Sequence, residues 1–287
     1  MHANVIASAE ASSGGAETPP RVLTIAGSDS GGGAGLQADL RTLFACGVHG
    51  LTAVTAITVQ NSLGVTGYTE IPPEVVAAQI EAVATDIGVN AAKTGMLASA
   101  AIIEAVAVAC DRVHIGRSGT IPFVVDPVAA SMHGDQLLTD QALEAVRTLL
   151  FPRATLVTPN LDEVRLLTGI SVQDRAQQRE AAKALFALGP QWVLVKGGHM
   201  WSDPECLDLL FDGEDFLELP GPRYDTKHTH GSGDTLASAI SSRLARGEDV
   251  PTAVRFGKDF IVRSVAAAYP LGAGVGPVSP LWRLEQA

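Results

Sequence analysis

Apolar positions recur along this chain in two alternating rhythms. Short unbroken apolar runs are bounded by Gly, Pro and Asn, and between them lie longer Ala-rich segments with apolar residues three and four apart. The first rhythm predicts buried strands and the second predicts helices with one apolar face. Strands are predicted over Arg21–Ala26, Leu51–Val59, Pro122–Asp126, Thr155–Thr158 and Trp192–Lys196. Helices are predicted over Leu36–Cys46, Pro73–Thr85, Ala98–Cys110, Asp174–Leu188, Thr235–Arg246 and Pro251–Ala268. Strand and helix alternate, which predicts βαβ units: an α/β fold with a central, mostly parallel sheet and helices on both faces. Around Asp212-Gly213-Glu214 the segments Cys206–Phe211 and Phe216–Leu219 read as a hairpin turned by Gly213, adding antiparallel strands at one edge. No repeat or shift in composition divides residues 21–287, so a single domain is expected there. Met1–Pro20, rich in Ala, Ser and Gly and ending in Pro19-Pro20, shows no apolar face and predicts a disordered tail.

Composition narrows the ligands more than the fold. The 287 residues, 46% of them hydrophobic, are enough for one substantial core. Twenty Lys+Arg against 31 Asp+Glu leave a net charge of −11, a field that repels nucleic acid. An anionic ligand must therefore be held locally, by N–H groups at a helix start or by a placed lysine. Cys46, Cys110 and Cys206 form no CxxC pair and read as small buried residues, and His199, His228 and His230 lack the spacing of a zinc site. No long apolar run and no secretory start appear, which predicts a cytoplasmic protein without membrane association.

In an open parallel sheet, ligands sit beyond the carboxyl ends of the strands. The residues there are Gly27-Ser28-Asp29-Ser30, Gln60-Asn61, Asp126-Pro127, Pro159-Asn160 and Lys196-Gly197-Gly198-His199. The cluster Gly31-Gly32-Gly33-Ala34-Gly35 has neither the Gly-Lys-Ser/Thr ending of a P-loop nor the dinucleotide glycine spacing. It reads as a turn into a helix that keeps ligand contact open. Thr229-His230-Gly231-Ser232-Gly233-Asp234-Thr235 is sharper, because small residues at a helix start let the N–H groups of Gly231, Ser232 and Gly233 form an anion hole. Asp234 beside that hole reads either as a general base for a hydroxyl attacking phosphorus or as a helix cap.

That heptapeptide, with Asn160-Leu161-Asp162-Glu163 upstream, resembles the ribokinase-like family of small-molecule kinases. The stretch Leu23 to Leu40, together with Thr55 to Asn61, Lys93 to Leu97, Val125 to Val128, Thr158 to Asn160 and Lys196 to His199, is similar in order to hydroxymethylpyrimidine/phosphomethylpyrimidine kinases. The resemblance spans about residues 21 to 270. It implies transfer from ATP, with Mg²⁺, first to 4-amino-5-hydroxymethyl-2-methylpyrimidine and then to its monophosphate, in thiamine diphosphate biosynthesis. It implies Asp234 as base, and Gln60, Asp39, Gly27 and Met96 around the pyrimidine. Lys196, Asn160 and Thr229 fall on the ATP side, and Asn160 and Glu163 organise Mg²⁺ mainly through water. A homodimer is also implied, and the hairpin edge near Phe211 to Phe216 offers one pairing surface. Glycines at 31 to 35 and 272 to 276 offer candidates for a closing flap.

Three positions depart from the family pattern: Asp234 where many members carry Cys, Met132 where Lys is usual, and His228 where Asn is common. Asp234 is also the choice of pyridoxal kinases, which keeps pyridoxal as an alternative substrate. A pyrimidine-binding module without catalysis is the alternative of another class.

Overall fold

The computed structural model describes residues 17–117, 119–129, 138–200 and 202–284. Ten strands and eight α-helices are named along them: β1 (Arg21–Ala26), α1 (Gly35–Ala45), β2 (His49–Val54), β3 (Ala56–Asn61), β4 (Gly64–Glu70), α2 (Pro73–Asp86), β5 (Ala91–Thr94) and α3 (Ala100–Arg112), then β6 (Phe123–Val125), α4 (Asp140–Ala145), β7 (Leu156–Val157), α5 (Leu161–Thr168), α6 (Arg175–Phe186), β8 (Trp192–Val195), β9 (Asp208–Phe211), β10 (Phe216–Leu219), α7 (Ser232–Leu244) and α8 (Val250–Ala266). Residues 1–16 of the expected tail, and Met132 with its neighbours, lie outside the described residues.

Eight strands form one sheet in the order β10-β9-β8-β7-β6-β5-β1-β2. From β2 to β8 all neighbours are parallel, and β9 and β10 close the edge antiparallel, as the hairpin pattern predicts. Alternate strand residues enter two cores. Leu23, Ile25, Phe123, Val125 and Val193 pack against α2 to α6, while Val22, Val124, Leu156 and Leu194 pack against α1, α7 and α8. Both faces are thus covered, which is why the strands read as continuous apolar runs instead of alternating ones.

The chain leaves β1 for β2 on one side and returns to β5 on the other. The crevice between the carboxyl ends of β1 and β5 is therefore the switch point where an open α/β sheet receives its ligand.

The run Leu51–Val59 is not the single strand its composition predicts. It breaks at Thr55, whose N–H donates to Ala26 O (3.0 Å) and whose Oγ1 donates to Met96 O (2.7 Å). Beyond that break β3 leaves the main sheet and pairs only with β4 in a two-stranded ribbon. Ala56 and Thr58 face inward, while Ile57, Val59, Val65 and Tyr68 are exposed. β10 is the open edge of the main sheet, so the hairpin edge expected from the sequence is present in addition to this ribbon. Phe211 is buried and stacks on Phe216 at 4.3 Å, with Arg179 over the Phe216 ring, so those apolar rings face inward and the ribbon carries the exposed apolar row.

Candidate active site

Asp29 builds the turn after β1. Its carboxylate accepts the N–H groups of Gly31 (2.8 Å), Gly33 (2.9 Å) and Ala34 (2.8 Å). Burial works against its charge, but hydrogen bonds from His230 and from the Ala34 and Gly31 amides hold this carboxyl below its ordinary range. Gly35 N–H donates to Asp234 Oδ2 (3.1 Å). Most of the amides of the glycine-rich loop are thus taken by the protein's own carboxylates, and the loop aims α1 instead of offering a phosphate cradle.

The opposite rim is the turn into α7. Gly231 has φ 75°, and a Cβ there would collide with Gly33 O, so only glycine fits this close crossing. Of the N–H groups expected in the anion hole, that of Ser232 is turned back to Thr229 O (3.1 Å). Among the described residues no backbone carbonyl receives the N–H of Gly233 or Asp234, so these two stand at the positive end of α7.

Two lysines, Lys93 buried and Lys196 partly buried, flank that helix end. Lys93, on β5, has no exposed surface and places Nζ 2.8 and 3.0 Å from the Asp39 oxygens and 3.4 Å from Asp234 Oδ1. Burial alone would lower the Lys93 pKa, yet the carboxylates of Asp39 and Asp234 hold it above the ordinary lysine range. Burial also pushes the Asp39 carboxyl up, against the pull of Lys93. Donors from Lys93, Thr24 and Ser238 on Asp39 favour the charged pair. Asp39, expected beside the pyrimidine, is fully buried with both oxygens engaged, so it faces Lys93 and not the cleft.

Lys196, just beyond β8, donates to Asp126 Oδ1 (2.9 Å) and lies 4.0 Å from Glu163 Oε2. Burial opposes its charge, and Asp126 and Glu163 more than restore it, raising its pKa. Gly233 sits on this pair: a Cβ there would lie 3.1 Å from Asp126 Oδ2 and 3.4 Å from Lys196 Nζ. Asn160 and Glu163 close a capping box at the start of α5, with Glu163 Oε2 accepting Asn160 N–H (2.8 Å) and Asn160 Oδ1 accepting Glu163 N–H (2.9 Å). Burial pushes the Glu163 carboxyl up to about 7 although Lys196 is near. Among the described residues no group of three His, Cys, Asp or Glu side chains could hold a metal directly.

On the other side of the crevice, Gly27 N–H donates to Met96 O (3.0 Å), and a Cβ on Gly27 would collide with the Met96 methyl. Gln60, half-buried at a bulge in β3, lies with Nε2 3.3 Å from His230 Nε2. A cleft of about 270 Å³ opens beside these residues, lined by Asp29, Gly33, Asn61, His230, Leu271 and Val275. A wider groove of about 460 Å³ between α2 and α3 is lined mainly by Ala and surface carboxylates and touches none of the residues above, whereas the smaller cleft touches Asp29, Gly33 and His230 at the two loops that flank the start of α7. The 272–276 segment is tied down, with Gly274 N–H donating to Ser62 Oγ (3.2 Å) and Gly276 N–H to His228 Nδ1 (2.9 Å). Thr229 is exposed at the rim.

The sequence motifs named Lys93 and Asp126 without their partners. The signal in hand was a lysine inside the apolar-flanked stretch Ala91-Ala92-Lys93-Thr94, since an unpaired lysine is almost never fully buried.

A sequence profile described as phosphomethylpyrimidine kinase matches residues 29–279. The chain is 60% identical over 270 residues to the hydroxymethylpyrimidine/phosphomethylpyrimidine kinase of Mycobacterium leprae, covering 93% of this chain and 95% of that one. Among solved structures it is similar to the ADP complex of Bacillus subtilis pyridoxal kinase, with TM-score 0.86 and 36% identity over 94% of this chain and 100% of that one. It is also similar to phosphomethylpyrimidine kinase from Clostridium difficile, with TM-score 0.75 and 37% identity over 85% of this chain and 99% of that one. The ribokinase-like α/β architecture read from the motifs is the architecture of the structure. With its two-sided sheet and its helix end flanked by lysines, the chain belongs to the phosphomethylpyrimidine kinase family and is a phosphotransferase.

Proposed function

We propose that the chain transfers the γ-phosphoryl group of ATP to 4-amino-5-hydroxymethyl-2-methylpyrimidine and then to the resulting monophosphate, supplying the diphosphate for thiamine biosynthesis. The observation that carries this reading is the position of Asp234, beside two unclaimed N–H groups at the start of α7 and at the switch point between β1 and β5.

In the first transfer the hydroxymethyl oxygen attacks the γ-phosphorus while its proton passes to Asp234. The bond from that phosphorus to the β,γ-bridging oxygen breaks, and ADP leaves with that electron pair. The Gly233 and Asp234 amides, with the α7 dipole behind them, face the charge that develops. Lys196 supplies a fixed cation on the nucleotide side, with Asn160 and Thr229 at its rim. Gln60, Gly27 and Met96 take the ring: an amide suits a ring nitrogen next to an amine, and the thioether offers a soft apolar face.

Asn160 and Glu163 are closed on each other, so they fit Mg²⁺ only through its water shell, in keeping with an ion that dehydrates reluctantly. Bound with the nucleotide, the ion would spread the negative charge of the phosphates. The exposed apolar row on the β3–β4 ribbon supports a homodimer. Among the described residues no helix is long and apolar enough to cross a membrane, in keeping with a cytoplasmic kinase.

A second reading, phosphorylation of pyridoxal, is favoured by the likeness to pyridoxal kinase structures. A panel of the hydroxymethylpyrimidine, its monophosphate and pyridoxal with Mg·ATP, read by mass of the products, separates the readings. The mono- and diphosphates of the pyrimidine are expected. A higher kcat/KM for pyridoxal would overturn the substrate assignment, and no ADP with any of the three would overturn the kinase reading.

A further inference from the structure

Among the described residues Lys93 is one of the largest side chains with no exposed surface, and it lies on β5, between β6 and β1 in the sheet, with a charge to satisfy. Burying an ammonium is costly unless carboxylates receive it. Two of its contacts go to one residue, at 2.8 and 3.0 Å to the oxygens of Asp39. Asp39 is itself immobilised by Thr24 Oγ1 from β1 and by Ser238 Oγ (2.7 Å) from α7. What remains of the ammonium points at Asp234 Oδ1, 3.4 Å away, while Asp234 Oδ2 takes Gly35 N–H. Both oxygens of Asp234 are therefore held, from β5 and from the start of α1, and the side chain keeps only 15% of its surface exposed.

We propose that Lys93 is a positioning residue of phosphoryl transfer: anchored by Asp39, it aims the Asp234 carboxylate and keeps a cation beside it, with Asp39 sharing that cation between the two carboxylates. The proposal rests on Asp234 being the base. Its consequence is an opposition that a merely structural ion pair would not produce. Removing the charge of Asp39 leaves the whole cation to Asp234, whereas removing the charge of Lys93 leaves two carboxylates facing each other. The other charged groups toward Asp234 are Asp126 and Lys196, at the ends of β6 and β8, which are paired with each other and unchanged in either variant. On α7 itself the facing polar group is Ser238, which bonds Asp39.

The test is the pH dependence of kcat for the first transfer, from pH 4.5 to 9 at saturating Mg·ATP. It is run on the full chain and on Asp39→Asn, Lys93→Met, the double variant and Asp234→Asn. The acid limb is expected to move down by about one pH unit in Asp39→Asn and up by about one or more in Lys93→Met. In the double variant, whose core carries no unpaired charge, the limb falls between those of the two singles. If Lys93→Met does not fold, Asp39→Asn and the double variant still bracket the effect, and a limb displaced as far down in the double variant as in Asp39→Asn overturns the proposal. So do limbs that stay at the position of the unaltered chain while thermal melts show folded protein. A limb that persists in Asp234→Asn would instead overturn the base assignment. A limb lost in Asp234→Asn but unmoved in the other variants overturns only the role of Lys93.

Discussion

His230 Nε2 lies 2.9 Å from Asp29 Oδ2, joining the turn after β1 to the turn before α7 across the mouth of the cleft. A ring nitrogen that close to a carboxylate carries the proton, so it donates to Asp29 and cannot accept from Gln60, which lies 3.3 Å away. The Gln60 amide lies against that ring with Nε2 as its nearest atom, so His230 holds Gln60 beside the turn after β1.

Replacing His230 with Ala frees that amide. KM for the pyrimidine is expected to rise about tenfold, in line with the loss of one or two hydrogen bonds, while kcat changes less. Steady-state kinetics at saturating Mg·ATP check this, and an unchanged KM would separate Gln60 from His230.

The Asp29 carboxyl also links stability to pH. Its pKa is lowered in the folded protein, so its contribution is fully present above the unfolded carboxyl value near 4 and is lost as pH falls through the folded one. Asp29→Asn should therefore lower Tm at pH 7, and the gap to the unaltered chain should narrow as pH drops toward 3. Thermal melts across that range show the trend, and a gap independent of pH would contradict it.

Gly231→Ala places a Cβ against Gly33 O in a left-handed backbone conformation. A loss of about 1–3 kcal/mol is expected from the conformation alone, with kcat falling as the start of α7 shifts. Denaturant unfolding and kinetics on the same preparation measure both, and full stability with full activity would remove the close crossing from the account.

Lys196→Ala leaves Asp126 without its cation in a partly buried place. KM for ATP is expected to rise tenfold or more, with KM for the pyrimidine nearly constant, because Lys196 stands on the nucleotide side. Equal effects on both substrates would place it elsewhere.

How far the fold was legible depended on how local its cause was. β1 is bounded by Pro20 and Gly27 and its apolar run predicts it to the residue. β2 and β3 merged into one expected strand because Thr55, where they part, looks like any other residue of the run until its bonds to Ala26 and Met96 are seen. β5, with Ala-Ala-Lys-Thr, carries too little side chain to announce a strand, and β4 has almost no buried residue to set a period. α5 is only eight residues, yet its Asn160 and Glu163 form the capping box that the motif contained unnoticed. Of the candidate site, Asp234, Gln60 and Met96 can be proposed from the sequence because each lies in a compact motif at a strand or helix end. The burial of Asp39 behind Lys93 was not, because it arises where α1, β5 and α7 meet across 54 and 199 residues of chain.

The central claim is that Asp234 takes the proton of an attacking hydroxyl, and the two transfers place different demands on it. The first nucleophile is an alcohol that must lose a proton, and the second is a phosphate already anionic near neutrality. The direct measurement is kcat for each transfer, assayed separately, in Asp234→Asn. The first transfer is predicted to fall by about 10² or more and the second far less. Comparable losses in both would contradict the account and leave Asp234 a positioning role alone.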